Sequence, residues 1–136
     1  MDNAQTARTR AVVKDYFAKF GAGDFEGAFG LFAPNGLYEF PGRSPMAGSH
    51  TIPEMAGMMS KVGPLLAGMK MELGHVLAEG NLAAVQATGK VTLPNGTVYN
   101  NSYHFAFEVE GDRILRLKEY MCTYHALEAM GPYLGG

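Results

Sequence analysis

Residues 98–122 read VYNNSYHFAFEVEGDRILRLKEYMC, two runs of alternating apolar and polar residues joined by EGD. In the second run Leu117 and Met121 alternate with basic and aromatic residues, the period of two that is typical of a strand with one buried face. We therefore predict an antiparallel hairpin. On this register Glu119 falls on the apolar side, between Leu117 and Met121.

A carboxylate at that position requires an explanation, because burying an ionised group costs several kcal/mol unless it is paired or neutralised. Apolar neighbours raise the pKa of a carboxyl, so Glu119 would become a proton acceptor or donor near neutral pH. Two structural alternatives stay open. Arg116 or Lys118 could pair with the carboxylate, or a β-bulge could turn it to solvent.

The second half of the chain predicts a sheet. Alternating runs indicate strands near 69–79, 82–93, 97–109 and 113–122, with tight connections at EGN, LPNG and EGD. Two-residue turns at EGN and LPNG and a three-residue EGD loop would set the pairing of all four strands. On this pairing His75 faces Gln86, Gln86 faces Phe105, Thr88 faces Tyr103, and Tyr103 faces Glu119. One face then carries seven residues that we expect around a small-molecule site: His75, Gln86, Thr88, Asn101, Tyr103, Phe105 and Glu119.

The first half predicts three helices. Apolar residues at helical spacing from Val12 to Phe20 indicate the first, which GAG ends. Asp24 caps a short second helix. Thr51 and Glu54 form a capping box that opens the third, which ends at Gly63-Pro64, and a short strand covers 36–40. Together these elements predict a single α+β domain over 1–136, with three N-terminal helices packed on the concave face of a cone-shaped antiparallel sheet.

Composition narrows the class of protein. The 136 residues are 47% hydrophobic with a net charge of −2, which favours a globular domain without a nucleic-acid partner. The single cysteine permits no internal disulfide. With no apolar stretch near 18 residues and no signal-peptide pattern at the N-terminus, we expect no membrane partner and a cytoplasmic location.

The sequence resembles the nuclear transport factor 2-like superfamily, in its SnoaL-like and ketosteroid-isomerase-like branch. Residues 11–42, AVVKDYFAKFGAGDFEGAFGLFAPNGLYEFPG, are similar to the opening of ketosteroid isomerases. Residues 100–121, NNSYHFAFEVEGDRILRLKEYM, are similar to the closing hairpin of SnoaL-like proteins. The resemblance implies a cone-shaped pocket that different members use for unrelated reactions, including isomerisation and polyketide cyclisation.

The resemblance to the isomerases assigns three positions. Tyr16 matches their oxyanion-hole tyrosine, and Tyr103 aligns with their second oxyanion donor. Their general base falls at Phe40, which cannot take a proton. For both tyrosines a structural role stays open: Tyr16 as a core residue, and Tyr103 as the group that satisfies the Glu119 carboxylate.

The resemblance to SnoaL-type cyclases and limonene-type epoxide hydrolases assigns the carboxylate instead. Their arginine-aspartate-aromatic motif reads here Lys118-Glu119-Tyr120, so that Glu119 inherits the acidic position. The arginine and second aspartate of the hydrolases correspond to Gln86 and Thr88, which departs from their triad. Tyr38 matches a pocket tyrosine that helps to position water.

Several other residues have weaker functional interpretations. His75 is a catalytic candidate or a satisfied core histidine, and His104 falls on the opposite face. Cys122 and His125 form a C-x-x-H without a second pair, so we predict no metal site. The methionines of helix three and of 69–71 are interpreted as core residues whose flexibility would also suit an irregular apolar ligand.

We therefore predict a cofactor-free enzyme of isomerase, cyclase, dehydratase or lyase type, acting on a small apolar oxygenated molecule, with a non-catalytic binding protein as the alternative. Glu119 would move the proton, and Tyr16, Tyr103 and His75 complete the catalytic candidates. The outer face of the sheet, around Ser102 and His104, offers a surface for a homodimer. The expected pocket residues are Phe20, Tyr38, Phe40, Met59, Gln86, Thr88, Asn101, Phe105 and Met121.

Overall fold

A computed structural model describes residues 3–134 and confirms the α+β class. The four helices are α1 Asn3–Gly21, α2 Phe25–Phe29, α3 Ile52–Leu66 and α4 Thr123–Leu134. The six strands are β1 Phe32–Phe40, β2 Gly48–Thr51, β3 Lys70–Glu79, β4 Leu82–Thr92, β5 Val98–Glu110 and β6 Arg113–Met121. They form one curved, unclosed sheet in the order β2-β1-β6-β5-β4-β3.

The predicted helix starts are present. Asp24 accepts a hydrogen bond from the Gly27 amide at 2.9 Å and caps α2. Thr51 and Glu54 form the reciprocal capping box of α3. The predicted end of α3 was wrong, since the helix runs through Gly63-Pro64 to Leu66. Gly63 lies against the ring of Phe25, so contact between α3 and α2 outweighs the local breaking tendency of the dipeptide.

The hairpin of β5 and β6 keeps its predicted face but not its predicted pairing. Its turn holds two residues, not three, because Glu110 pairs with Arg113. A register shift then lies between Glu108 and Val109, and such a bulge restores the match of apolar faces that a two-residue turn alone would break. As a result Glu119 pairs with Phe105, and Tyr103 pairs with Met121.

The β4–β5 connection holds three residues where two were predicted. The Leu93 amide donates to the Thr97 carbonyl at 2.8 Å, which leaves Pro94, Asn95 and Gly96 in the loop, and Gly96 has a φ of +88°. Because side chains alternate along a strand, this one-residue change moves every β4 side chain to the opposite face. Val85, not Gln86, therefore pairs with Phe105.

The β3–β4 turn matches its prediction, with Glu79 paired with Leu82. A register shift between Leu73 and Val76 then interrupts the ladder, and His75 is left exposed. The predicted pairing of His75 with Gln86 was therefore wrong.

The concave face of the sheet and the helices enclose the core. Val13 and Tyr16 of α1, Met59 of α3 and Ala129 of α4 belong to one buried cluster with strand residues such as Leu117. Three features were not predicted: β2, the parallel pairing of β1 with β6, and the C-terminal helix α4. Within residues 3–134, no helix has both the length and the apolar character needed to cross a bilayer.

Candidate active site

A cavity of about 480 Å³ lies between the concave face of the sheet and helices α1, α3 and α4. Its wall is almost entirely aromatic and aliphatic. Within the described part of the chain, polar side-chain atoms reach it from one glutamate, Glu119, and from four tyrosines, which are Tyr16, Tyr38, Tyr99 and Tyr103. A largely apolar cavity with a few polar groups is typical of small-molecule sites.

The Glu119 carboxyl lines this cavity from β6. Its pKa is raised from 4.5 to about 7, because burial disfavours the charged form more than a hydrogen bond from Tyr38 favours it. The two structural alternatives for Glu119 do not hold. The Arg116 guanidinium contacts Glu39 at 3.2 Å, and Lys118 alternates onto the outer face beside Ala106. Glu119 therefore faces the cavity without a basic partner among residues 3–134.

Tyr38 holds the carboxyl in place. The parallel ladder pairs Tyr38 of β1 with Leu117 of β6, so that Tyr38 and Glu119 share the concave face. The Tyr38 hydroxyl donates a hydrogen bond to Glu119 Oε1. Tyr38 is only 3% exposed, and burial and the neighbouring carboxylate both raise its pKa well above the usual value. Tyr38 therefore keeps its proton and is a permanent donor to Glu119.

Tyr16 extends this arrangement from α1. Its ring is 1% exposed and packs edge-on against Phe107 at a centroid distance of 5.8 Å, and its hydroxyl interacts electrostatically with that of Tyr38. Burial, and to a smaller extent the charge of Glu119, raise the Tyr16 pKa. Tyr16, Tyr38 and Glu119 thus form one linked polar group in an apolar wall.

Tyr103 does not face Glu119 as predicted. Its ring stacks on Phe105 at 5.5 Å, and its hydroxyl donates to the Tyr99 hydroxyl at 3.2 Å. The shift in the β5–β6 pairing explains the difference, since it moves Tyr103 opposite Met121. Tyr99, which was not predicted, completes a second polar group in the cavity.

Four other predicted residues lie outside the cavity. Gln86 and Thr88 are exposed on the outer face, because the longer β4–β5 loop reverses the orientation of β4. His75 is exposed beside the β3 irregularity. Asn101 is buried on the concave side but binds the Cys122 backbone and does not line the cavity. None of the four therefore lines the cavity.

The remaining pocket residues line the cavity as predicted, namely Phe20, Tyr38, Phe40, Met59, Phe105 and Met121. Every methionine in the described part of the chain also lines it: Met46, Met55, Met58, Met59, Met69, Met71, Met121 and Met130. Thioether side chains are flexible and make favourable contacts with aromatic rings. The cavity can therefore adapt its shape to an irregular or aromatic ligand.

No metal site accompanies these groups, since residues 3–134 contain no cluster of three or more histidine, cysteine, aspartate or glutamate side chains placed to hold an ion. The groups in the cavity that can take part in a reaction are therefore the Glu119 carboxyl, whose pKa is raised, and the neutral tyrosine hydroxyls. A carboxyl that titrates near neutrality can both accept and return a proton in one reaction.

The chain belongs to the SnoaL-like domain family, whose model matches residues 13–117. A nuclear transport factor 2-like protein from Burkholderia xenovorans has a TM-score of 0.71 at 22% identity, over 91% of this chain and 96% of that one. TerC, co-crystallised with polyporic acid, has a TM-score of 0.78 at 18% identity, over 91% of this chain and 98% of that one. PrhC from Penicillium brasilianum has a TM-score of 0.83 at 14% identity, over 96% of this chain and 90% of that one. These similarities establish the nuclear transport factor 2-like fold. No curated protein matches the sequence.

Proposed function

We propose that the protein is a cofactor-free enzyme that transfers a proton to or from carbon in a small, apolar, oxygenated molecule. One observation carries the proposal: the Glu119 carboxyl lies in an apolar cavity with no basic partner among the described residues, and its pKa is about 7. Near neutral pH such a carboxyl is present in both forms, so it can remove a proton and give it back.

The proposed step begins with Glu119 as the carboxylate. It takes a proton from the carbon next to a ketone carbonyl, the electron pair moves to the carbonyl oxygen, and an enolate forms. The Tyr16 hydroxyl donates a hydrogen bond to the enolate oxygen and stabilises its charge. Tyr38 holds the carboxyl through its hydrogen bond to Oε1. Return of the proton to the same or another carbon gives exchange or isomerisation, and cyclisation or elimination would begin from the same enolate.

The test is deuterium incorporation into 2-tetralone, an apolar bicyclic ketone, in D₂O buffer near neutrality, followed by NMR or mass spectrometry. The protein is expected to exceed the buffer rate. Glu119→Gln should lower exchange to the buffer rate, and Tyr16→Phe should lower it about a hundredfold. The matched controls Glu110→Gln and Tyr120→Phe change exposed side chains away from the cavity and should retain the rate. Exchange at the buffer rate in the unmodified protein, or undiminished exchange in Glu119→Gln, would contradict the proposal.

A non-catalytic binding protein is the second candidate. It is favoured by the composition of the cavity wall, in which, among residues 3–134, Glu119 is the only carboxyl and no histidine or lysine is present. In that case 2-tetralone would bind with measurable affinity and Glu119→Gln would change the affinity, but deuterium would enter the ketone only at the buffer rate.

A homodimer and a cytoplasmic location complete the proposal. The outer face of the sheet exposes Leu77, Leu82, Val98 and Tyr120, which would be covered in a two-fold contact. Sedimentation velocity at micromolar concentration would test the dimer, and a monomer would contradict it.

A further inference from the structure

The cavity contains a second polar group, separate from the one around Glu119. Tyr99 and Tyr103 project from β5 into the wall, and both are buried. Their hydroxyl oxygens are 3.2 Å apart, and the Tyr99 oxygen lies 3.9 Å from the Met121 sulfur. Met121 and Glu119 are two residues apart on β6, so their backbone positions lie about 7 Å apart along the strand, and Tyr103 pairs with Met121.

One of the two phenol protons of this pair lacks a strong acceptor. Two phenols carry two protons, and the bond between them uses one. The Tyr99 oxygen also accepts from Asn101 Nδ2 at 3.1 Å. The remaining proton is therefore directed at Met121 Sδ, a weak acceptor at long range. If the bond between the two phenols is reversed, one proton still lacks a strong acceptor among the described residues.

The surroundings hold Tyr99 firmly. Asn101 uses both amide hydrogens, toward Tyr99 and the Cys122 carbonyl, and its oxygen accepts from the Ser102 and Cys122 amides. The Tyr99 ring stacks on His125 of α4 at a centroid distance of 5.5 Å. The donor is thus preorganised, which reduces the entropy cost of binding a ligand to it.

We propose that the Tyr99–Tyr103 pair is a binding subsite for an oxygen atom of the ligand. A carbonyl or hydroxyl oxygen would replace Met121 Sδ as the acceptor of the remaining phenol proton. A ligand hydroxyl could in addition donate to the free lone pairs of Tyr103. A buried donor gains more from a strong acceptor than from a thioether, because an incompletely satisfied polar group in an apolar cavity is costly.

The subsite restricts the class of substrate to molecules with two oxygen functions. This restriction rests on the function proposed for Glu119. The substrate would carry two oxygen functions at opposite ends of a rigid apolar skeleton. One would be the carbonyl activated beside Glu119 and Tyr16. The other would be held by the tyrosine pair, which would orient the skeleton along the strand.

The experiment compares two ketones by isothermal titration calorimetry. 2-Tetralone has one oxygen, and 6-hydroxy-2-tetralone adds a hydroxyl at the far end of the same skeleton. The protein should bind the hydroxy compound about two- to tenfold more tightly, the range expected for one neutral hydrogen bond. In the double variant Tyr99→Phe/Tyr103→Phe the preference should disappear or reverse, since the ligand hydroxyl would lose water without gaining a partner.

Both tyrosines are changed together because either single variant leaves one phenol proton for the ligand. Tyr120→Phe/Tyr124→Phe is the matched control, since both rings are exposed, Tyr124 at 77%. Equal or weaker binding of the hydroxy compound by the unmodified protein, binding of neither ketone, or an unchanged preference in the folded double variant would overturn the subsite. Loss of deuterium exchange alone would contradict the proton-transfer proposal and leave these affinities unaffected.

Discussion

Replacing Glu119 by glutamine should change how the stability of the protein depends on pH. The pKa of this carboxyl is 4.5 when exposed and about 7 in the folded protein. Between these values the folded state keeps a proton that the unfolded state releases. The free energy of unfolding therefore falls as pH rises from about 4.5 to about 7. Below and above this window the group does not contribute to the pH dependence of the unfolding free energy.

The size of the effect follows from the pKa shift. Each pKa unit corresponds to about 1.4 kcal/mol, so the shift to about 7 costs the folded protein about 3 kcal/mol at pH 8.5 relative to pH 4. The glutamine side chain in the Glu119→Gln variant has the same shape as glutamate and can still accept the hydrogen bond from Tyr38. It does not titrate in this pH range. The stability of the variant relative to the unmodified protein should therefore increase by about 3 kcal/mol between pH 4 and pH 8.5.

Urea unfolding followed by circular dichroism at several pH values measures this difference. Other titrating groups contribute to both proteins and largely cancel in the subtraction. Glu110→Gln is the control, because its side chain is exposed at the end of β5 and its difference from the unmodified protein should be flat. A flat difference for Glu119→Gln as well would refute the reasoning, since it would mean that the carboxyl titrates as an exposed group does.

Three further perturbations test the structure. Tyr38→Phe removes the hydrogen bond that lowers the pKa of Glu119, so NMR titration of the carboxyl should give a pKa above that of the unmodified protein; an unchanged or lower value would contradict the contact. Leu117→Ala empties a fully buried position in β6 and should cost about 2–5 kcal/mol in urea unfolding, whereas a loss below about 1 kcal/mol would argue against this core. Thr51→Ala removes one half of the capping box with Glu54 and should cost about 1 kcal/mol in the same assay; no loss would mean that α3 does not depend on this cap.

The sequence predicted the elements well where the pattern is local. Alternation along β5 and β6, the cap at Asp24 and the capping box at Thr51 identified strands and helix starts without tertiary information. Glu119 could be placed on the concave face because its neighbours Leu117 and Met121 fix that face. The resemblance to known proteins added Tyr16 and Tyr38.

The pairing between strands could not be predicted in the same way. One extra residue in the β4–β5 loop, and register shifts in β3 and β6, decide which residues meet across the sheet, and a sequence does not show where a bulge will form. The alternation of Val85, Ala87 and Val91 with Gln86, Thr88 and Lys90 does indicate the correct buried face of β4. This alternation is incompatible with a two-residue turn between β4 and β5. The loop has three residues instead, so that the apolar side chains of β4 pack on the concave face.

The second polar group was missed for a related reason. Tyr99 lies before the part of β5 that the hairpin argument used, and its partner Tyr103 was assigned to Glu119 by the wrong pairing. The stacking of Tyr99 on His125 also depends on α4, a helix that the pattern did not predict. A site formed by side chains from distant elements is visible only once those elements are packed.

The most direct test is the protonation of the Glu119 carboxyl itself. Carbon-13 NMR of protein labelled at the glutamate carboxyl, with Glu119→Gln to assign the signal, would follow this group from pH 3 to pH 9. A midpoint near 7 is the predicted result. A midpoint near 4.5 would show that the carboxylate is solvated or paired, and neither the proposed proton transfer nor its pH dependence would then stand.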